Sequence, residues 1–251
     1  MIDLITLINK EVSRFIRIWK QTLLPPIVTI VLYLLIFGKF IGNQISIIPG
    51  VNYIDFIFPG LLMMSVIMAS YQNTSSSFFG SKFQHNIEEL FISPISHIKI
   101  LLGFCIGGVI RGIMVGGLVF IVTLFMTEIN ISNIFLIFLF LILSSILFSM
   151  LGLFNAIFAK SFDDISIIPS FVITPLIYLG GVFYSTSLLS PFWQNISHLN
   201  PILYMVNGIR YGFIGISDVN INLAIIILIF FITILSYLNL YLLKKGHGIK
   251  N

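Results

Sequence analysis

Residues 100–126 read ILLGFCIGGVIRGIMVGGLVFIVTLFM, a run whose single charge is Arg111. An α-helix rises about 1.5 Å per residue, so roughly 20 apolar residues cross about 30 Å of hydrocarbon. This run is long enough to span a bilayer and too apolar to face water. Five others behave alike: Leu23–Ile41, Phe56–Phe79, Ile134–Ala159, Ile167–Leu189 and Ile221–Leu243. The six cover more than half of the 251 residues and leave no room for a soluble catalytic domain of ordinary size. Composition agrees, with 58% hydrophobic and 9% charged residues, where a soluble domain carries about 25% charged. A soluble globular protein, a disordered chain and a disulfide scaffold are excluded; the single cysteine, Cys105, cannot form an intrachain bridge. The expected fold class is an all-α membrane protein, one transmembrane domain over residues 1–251 with six transmembrane helices across 23–243.

Charge sets the orientation. Six spans put both termini on one side, and ten of the thirteen basic residues fall there: Lys10, Arg14, Arg17, Lys20, Lys82, Lys99, Lys160, Lys244, Lys245 and Lys250. Lys39 and Arg210 fall opposite, and Arg111 lies within the third span. The positive-inside rule then makes both termini cytoplasmic. The net charge of +4 is spent on that asymmetry and does not imply nucleic acid.

Residues 1–22 are expected to form an interfacial helix. At about 100° per residue, Leu4, Leu7, Ile8, Val12, Phe15, Ile18 and Trp19 share one arc. Thr6, Asn9, Lys10, Ser13, Arg14, Arg17 and Lys20 share the other, with Glu11 off the pattern. An apolar face with Trp and Phe opposite a Lys/Arg face lies in a membrane interface. Pro25-Pro26 then permit a change of direction into the first span.

Motifs for chemistry are missing. Gly38-Lys39 is followed by Phe40, so the chain has no phosphate loop of its own, and H-E-x-x-H, G-x-S-x-G and C-x-x-C do not occur. His85, His97, His198 and His247 are scattered, and Asp163-Asp164 read as a solvated turn or helix cap. No catalytic residue, metal site or cofactor is expected on this chain. All nine acids fall outside the six spans, which weighs against the alternative of a stand-alone carrier driven by an ion gradient.

Three features inside the spans remain. Arg111 is a mid-membrane cation, suited either to an anionic substrate group or to carbonyls between helices. Gly108, Gly112 and Gly116 recur every four residues, a spacing that lets helix backbones approach, within one subunit or across a dimer seam. The polar run Tyr71-Gln72-Asn73-Thr74-Ser75-Ser76-Ser77 must meet water, protein or a translocated solute. Tyr71, Asn73 and Arg111 are the candidate pathway residues.

Between the second and third spans, Glu88-Glu89-Leu90-Phe91-Ile92-Ser93-Pro94 resembles the "E-x-L-x-x-S-P" segment of the ABC-2 type transporter permeases of bacterial inner membranes. Phe58-Pro59-Gly60-Leu61, Tyr178-Leu179-Gly180-Gly181-Val182-Phe183-Tyr184, Pro191-Phe192-Trp193, Asn200-Pro201-Ile202-Leu203-Tyr204 and Arg210-Tyr211 match in order, covering about Phe56 to Tyr211. The resemblance implies a multi-pass inner-membrane subunit that pairs with itself and with two copies of a cytoplasmic ATPase. ATP and Mg would be held by that partner, and a lipid, glycan or amphipathic compound exported. It also implies that residues 80–99 form the coupling loop seated on the ATPase. Glu88, Glu89, Leu90, Phe91, Ser93 and Pro94 carry that role: acids for basic partners, Phe91 as apolar anchor, Pro94 as helix stop. Residues 190–220 would form short re-entrant or interfacial helices on the opposite side, with Phe192, Trp193, Tyr204, Tyr211 and Phe213 among the rings that suit headgroup depth.

Overall fold

A computed structural model of the chain describes residues 2–40, 42, 51–127 and 131–246. Ile41, Glu128, His247 and Lys250 lie outside them, as does the side chain of Lys39. The described residues are helical throughout, in the order α1 (Ile2–Arg17), α2 (Trp19–Thr22), α3 (Leu24–Tyr33), α4 (Tyr53–Phe83), α5 (Asn86–Ile92), α6 (His97–Thr123), α7 (Ile134–Phe158), α8 (Phe162–Ile168), α9 (Thr174–Leu179), α10 (Pro191–His198), α11 (Pro201–Ile214) and α12 (Ile221–Lys245). Six segments are long and apolar enough to cross a membrane: Trp19–Gly38, Tyr53–Phe83, His97–Thr123, Ile134–Phe158, Phe162–Leu179 and Ile221–Lys245. Their number agrees with the hydropathy reading.

α4 is the central column. It packs on α6, α7 and α11, and 78% of its most apolar window is buried, against 11% for α12 at the rim. The α4–α6–α7 contact is close because glycines remove side chains from it. A Cβ at Gly108 would meet Ser149 Oγ and Thr74 Oγ1, one at Gly112 would meet Ser70 Oγ, and one at Gly152 would meet the carbonyl oxygen of Tyr71. The four-residue glycine repeat therefore serves packing inside this chain. Some of the facing hydroxyls find partners on carbonyls: Ser145 Oγ donates to Leu141 O at 2.7 Å, and Thr74 Oγ1 lies 3.4 Å from both Ser70 O and Phe104 O, whereas Ser70 Oγ and Ser149 Oγ are buried without a partner.

Span boundaries shift where turn chemistry overrides hydropathy. The interfacial helix ends at Arg17 and the first span begins at Trp19. The break falls at Ile18, which leaves the helical region at φ −110°, ψ 34°, well before the prolines. Pro25 and Pro26 sit instead in the first turn of α3, where a missing N–H costs nothing. The fifth span is expected over Ile167–Leu189 but runs from Phe162 to Leu179. Ser161 and Asp164 start it with a reciprocal capping box. Pro169 opens a wide π-helical stretch to Ile173 in its middle, where each proline removes a backbone donor. Gly181, at φ +74°, ends it by a turn that residues with a Cβ rarely adopt.

Residues 190–220 hold two helices of different kinds. In α10, Phe192 and Trp193 are exposed, whereas α11 is buried against α4, α7 and α12. Tyr204 and Phe213 are core residues rather than headgroup anchors. The chain ends share one end of the bundle, because Leu7 of α1 and Leu243 of α12 belong to the same buried cluster as Phe79, Ile87 and Ile100.

Gly112→Val is expected to overpack the α4–α6 contact and destabilise the bundle by about 1–3 kcal/mol. Gly117→Val, at a position open to space, should be silent by comparison. Thermal unfolding of the detergent-solubilised variants measures both.

Candidate functional site

A polar cavity lies between α4, α6 and the first half of the fifth span. It holds about 440 Å³ and is lined by Tyr71, Gln72, Ser75, Ser76, Arg111, Ser166 and Ser170, with Met68, Phe162, Ile165 and Pro169 as its apolar part. The helical period places Gln72, Ser75 and Ser76 on one face of α4, and the first half of the fifth span closes the cavity where Tyr71 Oη approaches Ile165 O at 3.5 Å.

Two of the three candidate pathway residues reach this cavity. Arg111 lines it with only 6% of its surface exposed. Its Nη2 donates to Thr22 O at 3.2 Å, tying α6 to α2, while Nε has no partner. Tyr71 lines the cavity, but its hydroxyl is already engaged, accepting from Asn155 Nδ2 at 2.6 Å. Asn73 faces the other way: its Oδ1 and its backbone O both accept from Arg14 Nη2, at 2.9 and 3.0 Å. It joins α1 to α4 and does not touch the cavity. Gln72, Ser75 and Ser76, from the same run, take its place.

The interfacial helix is fixed to this end of the bundle by glycines on α6. Leu7 sits against Gly103 and Glu11 against Gly107. Glu11, off the amphipathic pattern in sequence, is fully buried with Arg14 Nε at 3.6 Å. Burial raises its pKa above the usual carboxylate value, and Ser77 and Arg14 only partly offset that desolvation. The helix pattern gave no sign of this, because the acid is buried by α6 rather than by the membrane.

The segment between α4 and α6 is short and supported at both ends. Lys82 Nζ donates to Ile157 O and Ala159 O, both at 2.8 Å, closing the end of α7. Lys99 Nζ donates to Asp3 Oδ2 at 3.0 Å and holds the Asp3 carboxyl below its ordinary pKa. Between them, α5 buries Ile87 in the core and presents Glu88 and Glu89 to solvent. Leu90, Phe91 and Ser93 are half-buried, and Pro94 is exposed past the helix end. Phe91 packs on His97, ring centroids 5.6 Å apart. The exposed apolar residue here is Ile92, at 85%, one position on from the expected anchor.

At the opposite end Arg210 gathers the sequence motifs. It is fully buried, lies 3.9 Å over the Phe56 ring, and donates to Gly181 O at 2.6 Å and Phe56 O at 3.3 Å. Gly60 lets α4 approach the backbone of Val182, Tyr53 Oη donates to Phe183 O at 3.1 Å, and Asn200 Nδ2 donates to Leu176 O at 2.6 Å. Asp218 accepts from Ser185 Oγ, Thr186 N and Thr186 Oγ1 at 2.7, 2.8 and 3.0 Å. Sequence reading counted Arg210 as a charge on that side and as part of a family motif, without a structural role; one cation within the apolar α11 was the available signal.

A helical bundle with six candidate membrane spans, an amphipathic N-terminal helix packed on α6 and a polar cavity has the architecture of a membrane transport subunit. The chain belongs to the ABC-2 type transporter family, whose model matches residues 3–214. It is 50% identical over 242 residues, 96% of this chain and 94% of the relative, to the inner membrane transport permease YadH of Escherichia coli K12. It is 26% identical to nodulation protein J of Neorhizobium galegae, covering 86% and 87% of the two chains, and 22% identical to that of Rhizobium leguminosarum bv. viciae, covering 90% of each. The protein is a permease of that family, a non-catalytic membrane subunit. Among the described residues no cluster of three or more His, Cys, Asp or Glu side chains forms.

The raised Glu11 value has a consequence for stability. A carboxyl that holds its proton more tightly when folded contributes stability fully below the ordinary carboxylate range, and loses it as pH rises through the raised value. Glu11→Gln should therefore be more stable than the parent at neutral pH, with a flatter stability–pH profile. Thermal unfolding from about pH 4 to 8, spanning the carboxylate range, tests this. Arg210→Leu, which abandons two carbonyls, should cost about 1.5–3 kcal/mol, and Arg210→Lys should recover only part of it.

Proposed function

We propose that this protein is the membrane subunit of an inner-membrane exporter, driven by ATP hydrolysed on a separate cytoplasmic chain. Family membership implies the ATPase partner. The reading adds that two permeases and two ATPases form the working unit, that both termini are cytoplasmic, and that ATP and Mg bind only the partner. The observation that carries it is the supported segment at residues 80–99, where Lys82 at the end of α4 bonds to α7 and Lys99 at the start of α6 bonds to α1, bracing both flanks of a short helix whose acids are exposed.

A lever needs such stiffness. Motion imposed on Glu88, Glu89 and Ile92 by a closing ATPase passes through Ile87 into α4, α6 and α1 with little local give. The acids suit a basic groove, and Ile92 supplies an apolar contact that water release favours. Leu90, Phe91, Ser93 and Pro94 shape the helix and its end. Nucleotide-driven closure would tilt the two bundles and alternate the exposure of a pathway that includes the Arg111–Tyr71 cavity. Its polar rim and apolar wall suit a lipid, glycan or amphipathic compound.

Co-expression with a cytoplasmic ATPase of the kind the family pairs with tests the assignment. Glu88→Lys with Ile92→Ala should reduce co-purification at least tenfold and remove permease-stimulated ATP hydrolysis, while the permease keeps its melting temperature. An intact, active complex carrying both changes would refute the coupling role, and uptake by the purified permease alone under an ion gradient would refute ATP dependence.

A further inference from the structure

Resting on the reading above, we infer that the cavity beside Arg111 is a subsite for an oxyanion head group carried by an amphipathic substrate, with a phosphate as its simplest form. Arg111 sits in the middle of a spanning helix, where an uncompensated charge is costly and seeks a partner. Among the described residues it forms no ion pair. Its single hydrogen bond, to Thr22 O, leaves the buried Nε unmet. The nearby Arg14 is of like sign, and the buried Glu11 pairs with Arg14 rather than with Arg111. The guanidinium is thus a fixed positive charge on the wall of an open space.

The cavity complements an anion in its other groups too. No Asp or Glu lines it, while Gln72 brings an amide N–H and the hydroxyls of Ser75, Ser76 and Ser166, which here donate to Gln72 O and Phe162 O, can turn their O–H to an anion. Its volume of about 440 Å³ lies in the range of about 300–1,000 Å³ typical of small-molecule sites. Met68, Phe162, Ile165 and Pro169 give it an apolar wall opposite the donors. A free inorganic anion would leave that wall unused, whereas the first carbons of an acyl or prenyl chain would cover it. A cationic amphiphile would meet Arg111 with like charge.

The test uses the full-length permease in nanodiscs of phosphatidylcholine, with fluorescent lysophosphatidic acid and chain-matched lysophosphatidylcholine as probes. Lysophosphatidic acid should bind saturably and at least tenfold more tightly than lysophosphatidylcholine. Arg111→Gln should erase that preference, Arg111→Lys should keep part of it, and Ser170→Phe, which fills the cavity without touching the guanidinium, should weaken both probes. Inorganic phosphate should compete only at far higher concentration; equal potency would overturn the amphiphile assignment. Equal affinity for the two probes, an Arg111→Gln variant that still discriminates, or a Ser170→Phe variant that binds normally would each overturn the site. Binding is read without the ATPase, so its failure leaves the coupling result intact, and loss of coupling leaves this result standing.

Discussion

The bundle depends on the distance between α4 and its two neighbours, α6 and α7. Gly108, Gly112 and Gly152 carry no side chain into that seam, and Ser70, Thr74, Ser145 and Ser149 fill it with small hydroxyl groups. In lipid there is no hydrophobic gain from pressing helices together, so close backbone packing and internal hydrogen bonds must hold the subunit. With α4 held as a central column, both of its ends can carry polar work without losing the core.

The two ends solve the same electrostatic problem differently. At the end with Arg210, a buried guanidinium is met by an aromatic ring, by the Gly181 carbonyl just past the end of the fifth span, and by the Phe56 carbonyl of α4. That arrangement is nearly satisfied, and it locks α11 and the following turn into the bundle. At the end with the termini, Glu11, Arg14 and Asn73 fasten α1, while Arg111 beside them stays underused. One arginine is a rivet and the other is poised toward space. A transport subunit needs both a stiff scaffold and a place where polar valence is left for cargo.

The segment between α4 and α6 follows the same economy. α5 is too short to be stable alone, and it exists because Ile87 is buried and lysines fix both flanks. Its position at the ends of α1, α4, α6 and α7 means that movement there is shared among four helices.

Much of this was legible before any coordinates. Twenty-residue apolar runs gave six spans, because membrane thickness alone sets that length. The E-x-L-x-x-S-P segment and the motifs from Phe58 to Tyr211 gave the family, since short motifs in fixed order survive without side-chain geometry. Which polar residues face what was decided only by tertiary packing. Asn73 and Gln72 are neighbours in one run, yet one turns to α1 and the other to the cavity. Glu11 is buried by a glycine face on α6 that lies 96 residues away at Gly107. Hydropathy records whether a segment leaves water; it holds no information about which side of a helix a neighbour will cover, and that choice settles which charges are spent on structure and which remain for function.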